Sequence, residues 1–183
     1  IGTSRNNNAE FLIAKSPDGI NWTTSLHNLN STGYTKRMAY SKELGIFVAL
    51  TDSSNGRHIR SLDNGATWES FSSLSTNLEG IASGTDENGV PMFVAVGTAK
   101  IYYSYNAVNW IENNTGQSVN NFRSVACGEA PDGSVRWCAV GVNGSAFNFS
   151  DNGRDWFTCP SVQQGGDYWD VAWGYAYGKG VWV

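Results

Sequence analysis

Apolar residues in this chain come in short runs, and each run is closed by Gly, Asn, Asp or Ser. Runs of about four to eight residues with such boundaries predict β-strands, and no window of about twelve residues carries a helical period. The most apolar runs are copies of one another: Gly45-Ile46-Phe47-Val48-Ala49-Leu50, Pro91-Met92-Phe93-Val94-Ala95-Val96-Gly97, Arg136-Trp137-Cys138-Ala139-Val140-Gly141 and Gly180-Val181-Trp182-Val183. Each is preceded by a run built round a small residue: Met38-Ala39-Tyr40, Ile81-Ala82-Ser83, Val125-Ala126-Cys127 and Val171-Ala172-Trp173.

A third pattern is polar and keeps the same phase. It reads Ser16-Pro17-Asp18-Gly19-Ile20-Asn21-Trp22, Ser61-Leu62-Asp63-Asn64-Gly65-Ala66-Thr67-Trp68, Ser104-Tyr105-Asn106-Ala107-Val108-Asn109-Trp110 and Ser150-Asp151-Asn152-Gly153-Arg154-Asp155-Trp156, with tryptophans spaced by 46, 42 and 46 residues. Each period therefore predicts an inner strand, an apolar central strand, a third strand ending in this turn, and a weaker fourth strand. Four strands per about 45 residues is the size of a propeller blade. The expected fold is all-β: a single propeller domain over residues 1–183 with four four-stranded blades.

The polar pattern resembles the Asp-box, S-x-D-x-G-x-T-W, of the sialidase-like (BNR-repeat) β-propellers. Ser61 to Trp68 fits it in full; the other copies are one residue shorter, and the third has Asn106-Ala107 in place of Asp-Gly. The resemblance implies that these turns join the third and fourth strands at the rim, away from an axial ligand site. The chemistry of the residues agrees with a structural role. A short carboxylate accepts from N–H groups of its own turn, and Gly supplies a positive φ. Ser61, Asp63, Gly65, Trp68, Asp18, Trp22, Trp110, Asp151 and Trp156 are thus expected to serve the fold.

The last residues match the first half of a central strand, and Ile1-Gly2-Thr3-Ser4 match its second half. Two arrangements are expected from this: a piece of a larger array, or a unit whose ends meet in a ring of its own or one shared with a second copy. An open half-ring would leave apolar blade faces uncovered, so oligomerisation or further chain is expected.

Composition narrows the partners. Charged residues make up 15% of the 183 residues and the net charge is -4, which argues against a nucleic-acid surface. No apolar run reaches the ~18 residues of a membrane span. The three cysteines, 127, 138 and 159, include neither a CxxC pair nor a Cys/His cluster, so no metal or other cofactor is expected. Placing Ala126 opposite Ala139 puts Cys127 opposite Cys138, as two core thiols or a cross-strand disulfide.

The loops that vary between periods lie between fourth and next inner strands and between central and third strands. They carry Arg5, Tyr34, Arg57, His58, Tyr168 and Trp169, with His27 nearby. Aromatic planes beside Arg, Asn and Asp suit saccharides, and these residues are the expected ligand contacts. Arg37 and Arg123 stand at inner-strand starts, where a sialidase would hold its carboxylate-binding arginines, but the other periods have no such residue and no Arg-Ile-Pro segment is present. Neither His27 nor His58 has a Ser/Asp partner at a recognisable spacing, so catalysis is not expected. The expectation is a non-enzymatic propeller binding glycans or proteins, of a secreted, surface or virion type. The alternatives are a fragment of a sialidase-like glycoside hydrolase and a scaffold resembling photosystem assembly factors.

Overall fold

The computed structural model describes residues 2–5, 11–27, 35–52, 57–74, 78–113, 121–142, 147–159 and 166–183. The chain divides into two compact units, Ile1–Asn77 and Leu78–Val183. Every regular element among the described residues is a β-strand.

The first unit holds a three-stranded sheet, β1 (Gly2–Arg5), β2 (Phe11–Lys15) and β3 (Thr23–His27). It also holds a four-stranded one, β4 (Thr35–Ser41), β5 (Ile46–Thr51), β6 (His58–Ser61) and β7 (Glu69–Phe71). The second unit has two four-stranded sheets. One is β8 (Leu78–Thr85), β9 (Pro91–Gly97), β10 (Lys100–Ser104) and β11 (Ile111–Asn113). The other is β12 (Asn121–Glu129), β13 (Val135–Val142), β14 (Phe147–Ser150) and β15 (Phe157–Thr158), followed by the hairpin β16 (Trp173–Ala176) and β17 (Lys179–Trp182). All pairs are antiparallel and join sequence neighbours. This is an all-β meander architecture with several four-stranded sheets, consistent with a β-propeller-like fold. Among the described residues three sheets have four strands, one has three and one has two, where four four-stranded sheets were expected.

In the four-stranded sheets burial peaks on the central strand and is lowest on the outermost one, which explains the unequal strength of the strand signals. Met92 through Gly97 of β9 are all buried, giving a continuous apolar run instead of an alternating one. The outermost strands β3, β7 and β11 are largely exposed. In the second unit Met92, Val94, Val96, Ile101, Phe122, Val125, Trp137, Ala139 and Trp156 form one core between the two four-stranded sheets. The Trp137 indole N–H reaches across to the Thr85 carbonyl at 2.9 Å. Two inner-strand glycines set the sheet spacing. A Cβ on Gly84 would overlap Cys127 and Trp137, and one on Gly128 would overlap the Trp173 ring.

The Ser/Asp/Trp turns join third to fourth strands. At β6–β7 the Ser61 hydroxyl donates to Asp63 Oδ1 at 2.9 Å and accepts the Gly65 N–H at 2.8 Å. Asp63 in turn accepts the Thr67 N–H (2.8 Å) and hydroxyl (2.6 Å). The Trp68 indole closes onto the Gly65 carbonyl at 3.2 Å. Asn64 and Gly65 both take positive φ, 55° and 77°, which accommodates the extra residue of this copy. In the turn at 104–110 Asn106 is the acceptor, taking the Val108 and Asn109 N–H groups at 2.9 Å, and Ala107 adopts φ 57° in the glycine slot. In the turn at 150–156 the acceptor is Asn152, which takes the Arg154 and Asp155 N–H groups at 2.8 Å. The assignment of Asp151 to that role is corrected: Asp151 stands where Pro17 stands in the first copy, and pairs with Arg136 at 2.6 Å.

The indoles are not equally covered. Trp68 and Trp156 are 7% and 5% exposed, whereas Trp22 is 52% exposed. Trp68→Ala is expected to destabilise by about 3 kcal/mol or more, the range for truncating a buried aromatic. Trp22→Ala should cost well under that; urea unfolding of the two variants checks the contrast. Acid should also report on the Asp63 turn. The two Thr67 bonds hold the Asp63 carboxyl down from 3.8 to about 2. A depressed folded-state value contributes stability that is present above pH 3.8 and lost as pH falls through about 2. Asp63→Asn keeps an acceptor without the titration, so its stability should converge on that of the wild type over that interval.

Candidate functional site

In the three four-stranded sheets the pairing of the inner strand with the central strand slips near its start. Register shifts occur between Thr35 and Arg37, between Leu78 and Gly80, and between Phe122 and Ser124. The residues left out of the ladder are Lys36, Glu79 and Arg123. All three stand two places before the Met38, Ile81 and Val125 signatures, and the residue at that place in the fourth period is Trp169. A bulge turns its extra side chain away from the pleat. The bulges thereby set one residue outside the ladder at the start of each of β4, β8 and β12.

In the second unit these residues make a contiguous strip. Arg123 Nη1 lies 3.9 Å from Glu79 Oε1, and its guanidinium carbon lies 5.4 Å from the centre of the Trp169 ring. Trp169 is 64% exposed, so its ring is available to a ligand. Beside it, Asp170 accepts the Ser124 hydroxyl and the Val171 N–H. Gly80 permits the close approach, since a Cβ there would come within 3.0 Å of the Ser124 Cα and 3.1 Å of the Arg123 carbonyl. The buried Nε–H of Arg123 has no acceptor among the described residues. In the first unit the equivalent Lys36 pairs with Asp52 at 3.3 Å.

Of the expected contacts, Trp169 belongs to this strip. Tyr168 is its neighbour but is committed to packing: its ring meets Phe147 edge-on at 5.6 Å, and its N–H binds the Gly141 carbonyl at 2.9 Å. Arg57 is half-buried in the first unit, and its carbonyl accepts the Thr51 N–H and hydroxyl. His58 is fully buried and stacked on Phe71 at 5.4 Å, so it is withdrawn from the ligand contacts. Arg5 lies in β1, with its backbone opposite Phe11. Tyr34 lies outside the described residues. Glu79 and Arg123 as a pair went unnoticed in the sequence; counting back two residues from each inner-strand signature would have found them.

No family model and no curated protein matches the chain. Among solved structures it is similar to the GH74 enzyme of Niastella koreensis, with 15% identity and a TM-score of 0.39, over 90% of this chain and 30% of that one. The chain thus spans under a third of that enzyme's length.

The remaining chemistry lies elsewhere. A cavity of about 520 Å³ opens at the other end of β12, among Glu129, Pro131, Trp173, Tyr175, Lys179 and Trp182. Its polar tie is Tyr175 to Glu129 at 2.7 Å. His27 does have a serine partner, Ser25, at 2.8 Å. The pair arises because residues i and i+2 share a strand face. Among the described residues no third group orients it and no cluster of His, Cys, Asp and Glu could hold a metal ion. No helix among them is long and apolar enough to cross a membrane.

The cysteine register is corrected as well. Ala126 pairs with Cys138, and Cys127 with Trp137. The slip of one residue puts the two thiols on opposite faces of their sheet. Cys127 meets the Gly84 strand, and Cys138 the cluster of Val140 and Val171. None of the three cysteines is in a disulfide. Burial pushes Cys127 up to about 11 and Cys138 up to about 12. An alkylating reagent at neutral pH should therefore leave Cys127 and Cys138 unmodified in the folded protein and label them on unfolding; a Cys127–Cys138 crosslink in peptide mapping would contradict the register.

Proposed function

We propose that the chain is a non-enzymatic β-propeller module whose four periods are blades and whose inner-strand starts form a glycan-binding face. The observation that carries this reading is Trp169: an exposed indole with the Arg123 guanidinium over its ring at 5.4 Å, Glu79 3.9 Å from that guanidinium, and Asp170 next in the chain. A flat apolar ring offers a surface to sugar C–H groups, while planar donors and acceptors beside it match hydroxyls. Glu79 and Arg123 stand in β8 and β12, and Trp169 lies in the segment before β16, beside Asp170, which is bonded to Ser124 and Val171; these ties limit the ordering cost of binding. The Asp-box-like turns are kept for the fold, since their carboxylate, amide and hydroxyl groups are consumed by their own turns.

A sialidase-like reaction is the weaker reading. The places equivalent to Arg123 in neighbouring periods hold Glu79 and Trp169, so no arginine cluster is supplied for a substrate carboxylate. Homo-oligomerisation, or continuation of the array by further blades, belongs to the same proposal and would multiply weak single-site affinity.

Trp169→Ala should weaken binding on a glycan array by about tenfold or more, the loss usual for a truncated Trp anchor, with an unchanged melting temperature. Equal glycan binding by wild type and variant would remove Trp169 from the site. Turnover of a fluorogenic glycoside would favour the hydrolase, and capture of a protein ligand sensitive to Trp169 would favour a protein-binding face.

A further inference from the structure

The charges round Trp169 speak to the class of glycan, an inference that rests on the strip being a saccharide site. Arg123 is faced by Glu79 at 3.9 Å, and Asp170 stands beside Trp169. Asp167, two residues before Trp169, is exposed. Carboxylates thus outnumber the one guanidinium in this part of the molecule. Both near carboxylates already have partners: Glu79 has Arg123, and Asp170 has the Ser124 hydroxyl and the Val171 N–H. Neither is therefore an isolated charge that would draw in a cation. Each still keeps lone pairs, because a carboxylate accepts about four hydrogen bonds. Arg123 keeps donors, since 3.9 Å to Glu79 is beyond hydrogen-bond length.

Spare acceptors and spare donors side by side suit hydroxyl groups, which donate and accept at once. A ligand carboxylate or sulfate would fare worse. Arg123, the cation set against Trp169, is already faced by Glu79, and Asp170 would stand against it. We infer that the Trp169 strip takes uncharged saccharides and discriminates against sialic, uronic or sulfated counterparts. The selection comes from the alternation Glu79, Arg123, Trp169 along equivalent inner-strand starts, not from pocket shape.

The test compares matched glycans, each neutral core with its sialylated, uronic or sulfated form, on an array at low and high salt. One like charge at about 4 Å in water corresponds to about fivefold in affinity. The neutral member of each pair should bind about fivefold or more tightly at low salt, and the gap should narrow at high salt. Glu79→Gln with Asp170→Asn keeps shape and an acceptor oxygen at each place, and should close the gap without loss of thermal stability. Acidic members bound as well as or better than neutral ones by the wild type would overturn the charge selection alone. A gap that survives both salt and the double substitution would also overturn it, by assigning the preference to shape. Silence towards both members would overturn the saccharide reading and this inference together.

Discussion

Strand β13 has to be buried on both faces. Trp137 and Ala139 point into the core shared with β8–β10, and Cys138 and Val140 point to Val171, Tyr168 and Trp182. Sheets normally stack about 10 Å apart, so large residues on the central strand demand small ones on the inner strand beside them. Gly84 and Gly128 meet that demand, one under Cys127 and Trp137, the other under Trp173. Enlarging either glycine would force the sheets apart along their whole length.

The same constraint sends polar chemistry to the strand ends. Residues in the middle of the central strands are almost all buried, which restricts what can stand there. At the starts of β4, β8 and β12 the ladder slips by one residue, and the side chain set outside it there meets polar or aromatic partners: Lys36 meets Asp52, and Arg123 meets Glu79 and Trp169. Lys36, Glu79, Arg123 and Trp169 share that place in the repeat and differ in kind: two cations, a carboxylate and an indole. A repeat that holds its turns and apolar strands nearly constant, while varying this one place, separates stability from recognition.

The turns show how little of their motif is indispensable. Asp63 and Asn152 accept equivalent N–H groups although one is charged and the other neutral. Gly153 and Ala107 both reach positive φ, and only the alanine is strained there, by roughly 1 kcal/mol. The hydroxyl is the constant part: Ser16, Ser61, Ser104 and Ser150 each accept the N–H of the residue at positive φ. A hydroxyl can donate to the side-chain acceptor and accept from the backbone simultaneously, which a methyl or a carboxylate cannot do.

What the sequence determined by itself was periodic: all-β character, three strand signatures, the turns and their spacing. Those features depend on residues near one another in the chain, where apolar runs, Gly and Asx chemistry act locally. The outermost strands were faint because they are exposed and carry little apolar signal. Tertiary structure decided what depends on register. Local patterning placed Cys127 opposite Cys138, and the bulge between Phe122 and Ser124 accompanies a pairing one residue away, with the thiols on opposite faces. It also buried His58 under its own sheet and set Glu79, Arg123 and Trp169 in line. Their separations of 44 and 46 residues mean nothing along the chain. They become contacts only when successive sheets stack with their inner strands side by side.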